Sequence, residues 1–568
     1  MKRTDSAIPA SPPTLSDSDV VRLYHARSKH RFEAYAAGPA MLDWDAQPAP
    51  FRHYDGAPIV ALPLLGEPGT AAPLRALLDK PFPCAGAPRC PQKPGLESIG
   101  MLLHLSLGIT AWKVMGPDRW AVRANPSSGN LHPVEAWLIA RDIPGLADGV
   151  YHYRPEDHVL ECRALDRTAA SDAPLLGLAL STAMWREAWK YGERGFRYCQ
   201  LDVGHAASAL AHAAALLGWS LAEQPVPTAC LAHRLGLDRD ADFPGSRHPQ
   251  VEREEAELLL AVGLDGNGPA PATQALQPPA DDTRWFGRAS QLDPLPRYRW
   301  PLIDDVAAAT RHRAEGTAPA TAAVAPPWQP SAQLAGFDSS AARTMLSRRS
   351  AQRFDASHRM SRAAFHSVLH VLGDSMRPSS LWPHASGMVA ALFVHRVDAC
   401  APGLYLLTAD GCDDACAFAT SGEHVETIGD GLTLRLHRKL EQVELHRLAR
   451  SLHCHQDIAS NACLALGLIA PFDDVIAADP AAYRDLFRVA GQTGQALYLL
   501  AELLGLRGTG IGCFFDDPVH EALGLSGSSH QTLYHFTIGL PIDDARIESA
   551  PAYPADRALH QPANRTPT

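Results

Sequence analysis

The chain has 568 residues, 46% of them hydrophobic and 20% charged, enough length for about three to four domains and enough apolar material for real cores. A net charge of −11 and a pI near 6.2, without any Lys/Arg-rich tract, exclude nucleic acid as the main partner. Eleven scattered cysteines exclude a complete disulfide framework and fit a reducing cytoplasm.

Residues 1–17 are Pro/Ser-rich and expected to be disordered. Lys2 and Arg3 are not followed by an apolar run, so no signal peptide is expected, and no stretch approaches the ~20 apolar residues of a membrane span. A first domain is expected over 20–265. In it, Asn125-Pro126-Ser127-Ser128-Gly129-Asn130 forms a polar turn ahead of an apolar run from Val134 to Ala140 that reads as a buried strand. Gly149-Val150-Tyr151-His152-Tyr153 then completes a hairpin. The Ala/Leu-rich segment from Gly204 to Gly218 is apolar on nearly every face and reads as a buried helix.

A Pro/Ala-rich connection over 266–338 follows. Trp285, Phe286, Tyr298 and Trp300 within it make an aromatic strap rather than a free linker. A second domain is expected over 339–553, with a strand over Met388–Val394, a hairpin partner from Gly403, and a buried helix from Gly491 to Gly505. Residues 554–568 form a polar tail. The class expected is α+β, with sheets and helices packed together.

Two signatures occur twice. Arg27-Ser28-x-x-Arg31-Phe32 returns as Arg349-Ser350-x-x-Arg353-Phe354, 322 residues on, and the helix opening at Gly204 returns at Gly491 with an offset of 287. Two markers in the same order indicate an internal duplication. The copies differ in what they keep. Pro126–Asn130 corresponds to a degenerate Pro383–Gly387, and Gly508-Thr509-Gly510-Ile511-Gly512 corresponds to Trp219–Glu223, which has no glycine row.

Two arginines and a hydroxyl at Arg349, Ser350 and Arg353 can fork a phosphate, or merely cap a helix among solvated arginines. A Gly-rich loop at Gly508–Gly512 lets backbone amides approach a ligand, although ordinary turns produce such loops too. Cys412-x-x-x-Cys416 and His453-Cys454-His455 lack a second ligand pair at zinc spacing, so no metal is expected. His205 reads as a core donor, His132 follows the Ser turn, and Cys513 reads as an inert thiol bordering the glycines.

This ordered set of motifs resembles the nitroreductase superfamily of FMN-dependent oxidoreductases. The segment Trp189-Lys190-Tyr191-Gly192-Glu193-Arg194, with Leu540-Pro541 through Arg546, is similar to its SagB-type branch, the azoline dehydrogenases of thiazole/oxazole-modified peptides. The resemblance covers nearly all of both halves and implies two tandem nitroreductase-like domains forming an intrachain pseudo-dimer, so that one chain can be complete without a homodimer partner. It implies one composite FMN site. The second half would supply Arg349, Ser350, Arg353, Gly510, Ile511, Gly512 and Arg546, and the first would supply Pro126, Ser127, Ser128 and Asn130. Amides of the glycine loop would serve the flavin ring, and the opposite site, with Arg27, Ser28 and Arg31, would be empty. Lys190 and Tyr191 match the branch's catalytic pair, with a surface lysine as the alternative reading of Lys190. The substrate is a peptide azoline, or a nitro, quinone or enone compound reduced by NAD(P)H. A non-catalytic scaffold that binds a peptide or partner stays as the third alternative.

Overall fold

The computed structural model describes residues 15–65, 70–84, 90–165, 174–265, 283–313, 325–383, 387–409, 418 and 425–554. Much of the expected connection, the tail, the Cys412 and Cys416 pair and the interior of Pro383–Gly387 lie outside these residues. So do residues 1–14, whereas Asp17, inside the stretch expected to be disordered, opens helix α1 (Asp17–Arg27) under an N-cap from Ser16.

In the first half, β1 (Ile109–Met115) and β2 (Asp118–Arg123) form a hairpin. The main sheet contains β3 (Val134–Arg141), β4 (Gly149–Arg154), β5 (Val159–Leu165) and β6 (Leu175–Thr182). Helix α2 (Trp185–Tyr191) leads into the long α3 (Gly195–Leu216), followed by β7 (Ser220–Glu223) and β8 (Glu255–Gly263). The sheet order is β5-β4-β3-β6-β8-β7, and short edge strands at Ile59–Ala61 and Arg284–Trp285 pair with β5. The expected aromatic strap thus begins as an edge strand.

The second half has α4 (Ala341–Ser347), β9 (Val389–Val394), β10 (Gly403–Ala409), β11 (Leu432–Lys439), β12 (Leu464–Pro471), α5 (Ala482–Leu503), β13 (Arg507–Ile511) and β14 (His530–Gly539). Its order, β11-β10-β9-β12-β14-β13, repeats that of the first sheet strand for strand. Both long helices have 22 residues, and their starts at Gly195 and Ala482 are separated by the same offset as the sequence repeat.

Alternation explains why the central strands are buried at every position. In β3, Trp137 and Ile139 enter an outer core while Ala136, Leu138 and Ala140 enter the large central one. Likewise Val389, Ala391 and Phe393 of β9 face outward to a third core, and Ala390, Leu392 and Val394 face the centre. A strand covered on both faces loses the polar alternation of a half-exposed one.

Helices α3 and α5 cross in that central core. A Cβ on Gly204 would lie 2.0 Å from the Arg488 carbonyl oxygen, and one on Gly491 2.1 Å from that of Leu201. The repeated glycines therefore permit backbone contact between the helices. Beside the crossing, Glu257 of β8 accepts from Arg484 (2.6 Å) and Arg488 (2.8 Å) of α5, all three fully buried. Past β14, strand β15 (Glu548–Ala550) returns to pair with β1, tying the end of the second half onto the first.

Candidate functional site

A cavity of about 840 Å³ opens between the halves. The first half contributes the Asn125–Asn130 turn together with Tyr191 and the α3 residues Tyr198, Asp202 and His205. The second contributes Arg348–Gln352, Tyr498, Thr509–Cys513 and Tyr534.

The serine turn is pinned by its own side chains. Ser127 Oγ accepts from the His132 amide (2.8 Å), and Asn130 Nδ2 donates to the Ala121 carbonyl (2.9 Å). Ser128 donates through both its amide and its hydroxyl to Asp202 (3.0 Å each). Gly129 has φ +60°, and a Cβ there would lie 2.4 Å from Tyr191 Oη and 2.9 Å from Lys190 Nζ. Glycine is thus required on two counts, conformation and room for the Lys190 and Tyr191 termini.

Facing the turn, the chain leaves α4 in extended form at Arg348, with φ −48° and ψ 126°. Arg348 is buried. Its Nε and Nη2 donate to the carbonyls of Ala124 (2.8 Å) and Arg123 (2.9 Å), while Nη1 has no partner among the described residues. Ser350 Oγ pairs with Tyr498 Oη (2.9 Å), which also accepts from the Gly510 amide (2.9 Å). Gly508–Ile511 is not a loop, as expected, but edge strand β13. The glycines are needed for packing: Cβ atoms at Gly510 and Gly512 would strike the Tyr534 hydroxyl at 1.7 Å and the Tyr198 ring at 2.2 Å.

Basic side chains cluster on this wall, which also carries Asp543, paired with Arg507, and Asp544. Arg348, Arg349 and Lys113 form no ion pair among the described residues. Burial, and then Arg348, hold Arg349 down to about 10. Burial, then Arg349 and Arg507, lower Lys113. Crowded, desolvated cations of this kind are completed by an anion.

Further acids lie on the first-half side. Burial raises Asp202 to about 7 against the hydrogen bonds from Ser127 and Ser128. Burial, then the Asp202 charge, push Glu187 well above the carboxylate range, and neither of its oxygens finds a partner among the described residues. Burial lowers Lys190, opposed by Glu187, and its ammonium sits 5.1 Å from the Trp44 ring centre. Burial raises Tyr191 well above its usual value, so the phenol is neutral. Burial, then Arg348, hold His205 to about 3, and its Nε2 meets Tyr534 Oη at 3.0 Å.

Of the residues singled out from sequence, Pro126, Ser127, Ser128, Asn130, Tyr191, Arg349, Ser350, Gly510, Ile511 and Gly512 line one cavity, with Lys190 against its turn. Arg353 and Arg546 are not in the lining: Arg353 is exposed and Arg546 pairs with Asp544 (2.6 Å) on the surface. The residues missed were Arg348, Lys113, Tyr498 and Asp202. An extended chain alternates its side chains, so Arg348, Ser350 and Gln352 form the natural set, and that was available from the sequence. The position of Ser28 is different. It is fully buried, its hydroxyl accepts from Arg197 (2.9 Å), and Arg197 and Arg194 both pair with the buried Asp516 (2.7 and 2.9 Å).

The fold is nitroreductase-like. A crystal structure from Anabaena variabilis described as a nitroreductase superposes with a TM-score of 0.63 at 20% identity, over 92% of this chain and 99% of that one. Among curated proteins, one of Methanocaldococcus jannaschii named as a nitroreductase is 30% identical over 130 residues, 21% of this chain. The trifolitoxin-processing protein TfxB of Rhizobium leguminosarum bv. trifolii is 31% identical over 166 residues, 26% of this chain. The matches span 62% and 44% of those two relatives. No family model matches the chain. Among the described residues, no helix is long and apolar enough to cross a membrane.

Proposed function

We propose that the chain is an FMN-dependent oxidoreductase with one composite site, and that it oxidises azoline rings in a peptide. The observation that carries the FMN reading is the cluster of Lys113, Arg348 and Arg349, none in an ion pair among the described residues, in one cavity with the Pro126–Asn130 turn. The orphaned Arg348 Nη1 fits a phosphate, and the cavity's volume lies within the roughly 300–1,000 Å³ of small-molecule sites. Arg348, Ser350 and Arg349 would hold the phosphate, with the turn at the other end of the cofactor. The shared strand order and the common helix offset support a tandem duplication folded as an intrachain pseudo-dimer, with domains at 20–265 and 339–553 joined by 266–338.

Bound FMN supplies a two-electron acceptor for substrate hydride. The chain's own residues manage the proton. Lys190, whose burial favours the neutral amine, would in that form accept the proton that an azoline must lose, and the neutral Tyr191 hydroxyl beside it would orient the ring by donating a hydrogen bond. A trifolitoxin-processing protein among the relatives supports a peptide substrate. A second reading, NAD(P)H-dependent reduction of nitro, quinone or enone compounds, is favoured by the Methanocaldococcus jannaschii relative. Anaerobic bleaching of the bound flavin by NADPH, with no azoline oxidation, would select it.

The composite site is tested by paired double variants. Arg348→Ala with Ser350→Ala is expected to strip flavin, and Ser28→Ala with Arg31→Ala to retain it in whatever fraction folds. Equal loss from both, with both folded by circular dichroism, would contradict the reading.

A further inference from the structure

Nine cysteines are described, and none is disulfide-bonded. Two of them meet at the cavity's edge from positions 59 residues apart in sequence. Phe515 N–H donates to the Leu452 carbonyl (2.9 Å), and Gln456 Nε2 donates to the Cys513 carbonyl (3.2 Å). These bonds lay the 452–456 turn across the segment that follows β13. Cys454 and Cys513 thereby stand on bonded, facing segments, both partly exposed, with Cys513 in the cavity lining.

The setting is specialised. Cys454 and His455 are consecutive non-glycine residues in left-handed backbone, φ +52° and +60°, a conformation held only where the surroundings impose it. His30 Nδ1 accepts from the Ala36 amide (2.9 Å), which places the ring proton on Nε2, and the ring favours negative charge on Cys513. The Arg194 guanidinium grips the Gly512 carbonyl (2.9 Å) and adds positive charge. The hydrogen bond from Cys454, and then His30 and Arg194, outweigh burial and bring the Cys513 thiol down to about 5, while Cys454 is raised. A thiolate beside a neutral thiol is the arrangement of an attacking and a resolving cysteine.

We propose that Cys454 and Cys513 form a redox dithiol that reduces low-molecular-weight disulfides entering the cavity. Cys513 thiolate attacks one sulfur of the disulfide, forming a mixed disulfide and expelling the other half as a thiolate. Cys454 then loses its proton to the expelled thiolate and attacks Cys513 Sγ, releasing the second half as a thiolate that takes a proton from water. Two protein thiols are oxidised to one Cys454–Cys513 disulfide as one small disulfide is reduced to two thiols. The proposal stands whether or not the cavity also takes a flavin.

The full chain, reduced and freed of reductant, is treated with oxidised glutathione, and peptides are mapped by mass spectrometry without reduction. A Cys454–Cys513 cross-link lacking two hydrogens, with no lasting glutathione adduct, is expected. Cys454→Ser should retain one glutathione on Cys513, and Cys513→Ser should neither cross-link nor react at Cys454. Reaction at the exposed Cys84, Cys90 or Cys230 ahead of Cys513, or an adduct on wild-type Cys513 that Cys454 never resolves, would overturn the proposal. Circular dichroism of each variant, with Cys454→Ala as a second substitution, separates misfolding from loss of exchange.

Discussion

Arg348 has the most consequential single environment in the cavity. Two of its nitrogens are fixed by first-half carbonyls and the third is left over, so the side chain is positioned before any ligand arrives. Removing it deletes a charge-assisted contact worth about 1.5–3 kcal/mol, and Arg348→Ala is expected to weaken FMN binding by about 10- to 100-fold in a fluorescence titration. The first copy of the motif has Ala26 where the second has Arg348 (348 − 322 = 26). Asp202 offers a pH test. Its folded value of about 7 lies above its ordinary 3.8, so between those values the folded chain holds a proton that the unfolded chain has lost. Stability from this group therefore falls as pH rises from about 4 to 7 and levels above that. Asp202→Asn should flatten that decline in a series of melting temperatures against pH; an unchanged slope would assign it elsewhere.

At the scale of elements, the crossing of α3 and α5 depends on glycine twice. Gly491→Ala would drive a Cβ into the Leu201 carbonyl, and a loss of about 1–3 kcal/mol is expected by denaturant unfolding. Glu257, accepting from Arg484, Arg488, Thr182 and Gln200, is a harsher case. Glu257→Ala removes the carboxylate shared by two buried guanidiniums and leaves Arg484 with Glu255 and Arg488 with Asp485 alone, for an expected cost towards the lower end of about 3–5 kcal/mol. These elements differ in how far the sequence disclosed them. The later parts of the two helices, from Gly204 and Gly491, were legible because they are apolar on nearly every face and repeat with one offset, whereas their first nine residues, which hold Arg197, Asp202, Arg484 and Arg488, were not. The glycine row was legible as a site but not as a strand. Gly508, Gly510 and Gly512 carry no strand propensity, and only the Tyr534, Phe536 and Tyr198 rings packed against them show why glycine stands there. Lys113 and Asp202 gave no signal, because nothing local marks a lysine on a hairpin as meeting Arg349, or an aspartate in a helix as meeting Ser128.

For the whole molecule, the arrangement of the halves is the central matter. One hydrophobic core runs through both, and bonds among the described residues cross between them, including Glu257 with Arg484 and Arg488, Arg194 and Arg197 with Asp516, Arg348 with the Ala124 and Arg123 carbonyls, and β15 on β1. A chain split after residue 338 is therefore expected to give fragments that fold poorly apart and recover when mixed, as followed by circular dichroism. The one cavity of about 840 Å³ draws on both halves, whereas the Ser28 region is filled by the chain's own Arg197 and Asp516. The measurement that bears most directly on this asymmetry is the flavin stoichiometry of the purified chain after reconstitution with excess FMN and removal of the unbound cofactor. The one-site account predicts one FMN per chain, lost from Arg348→Ala with Ser350→Ala. Two FMN per chain, or none bound by a folded chain, would contradict it.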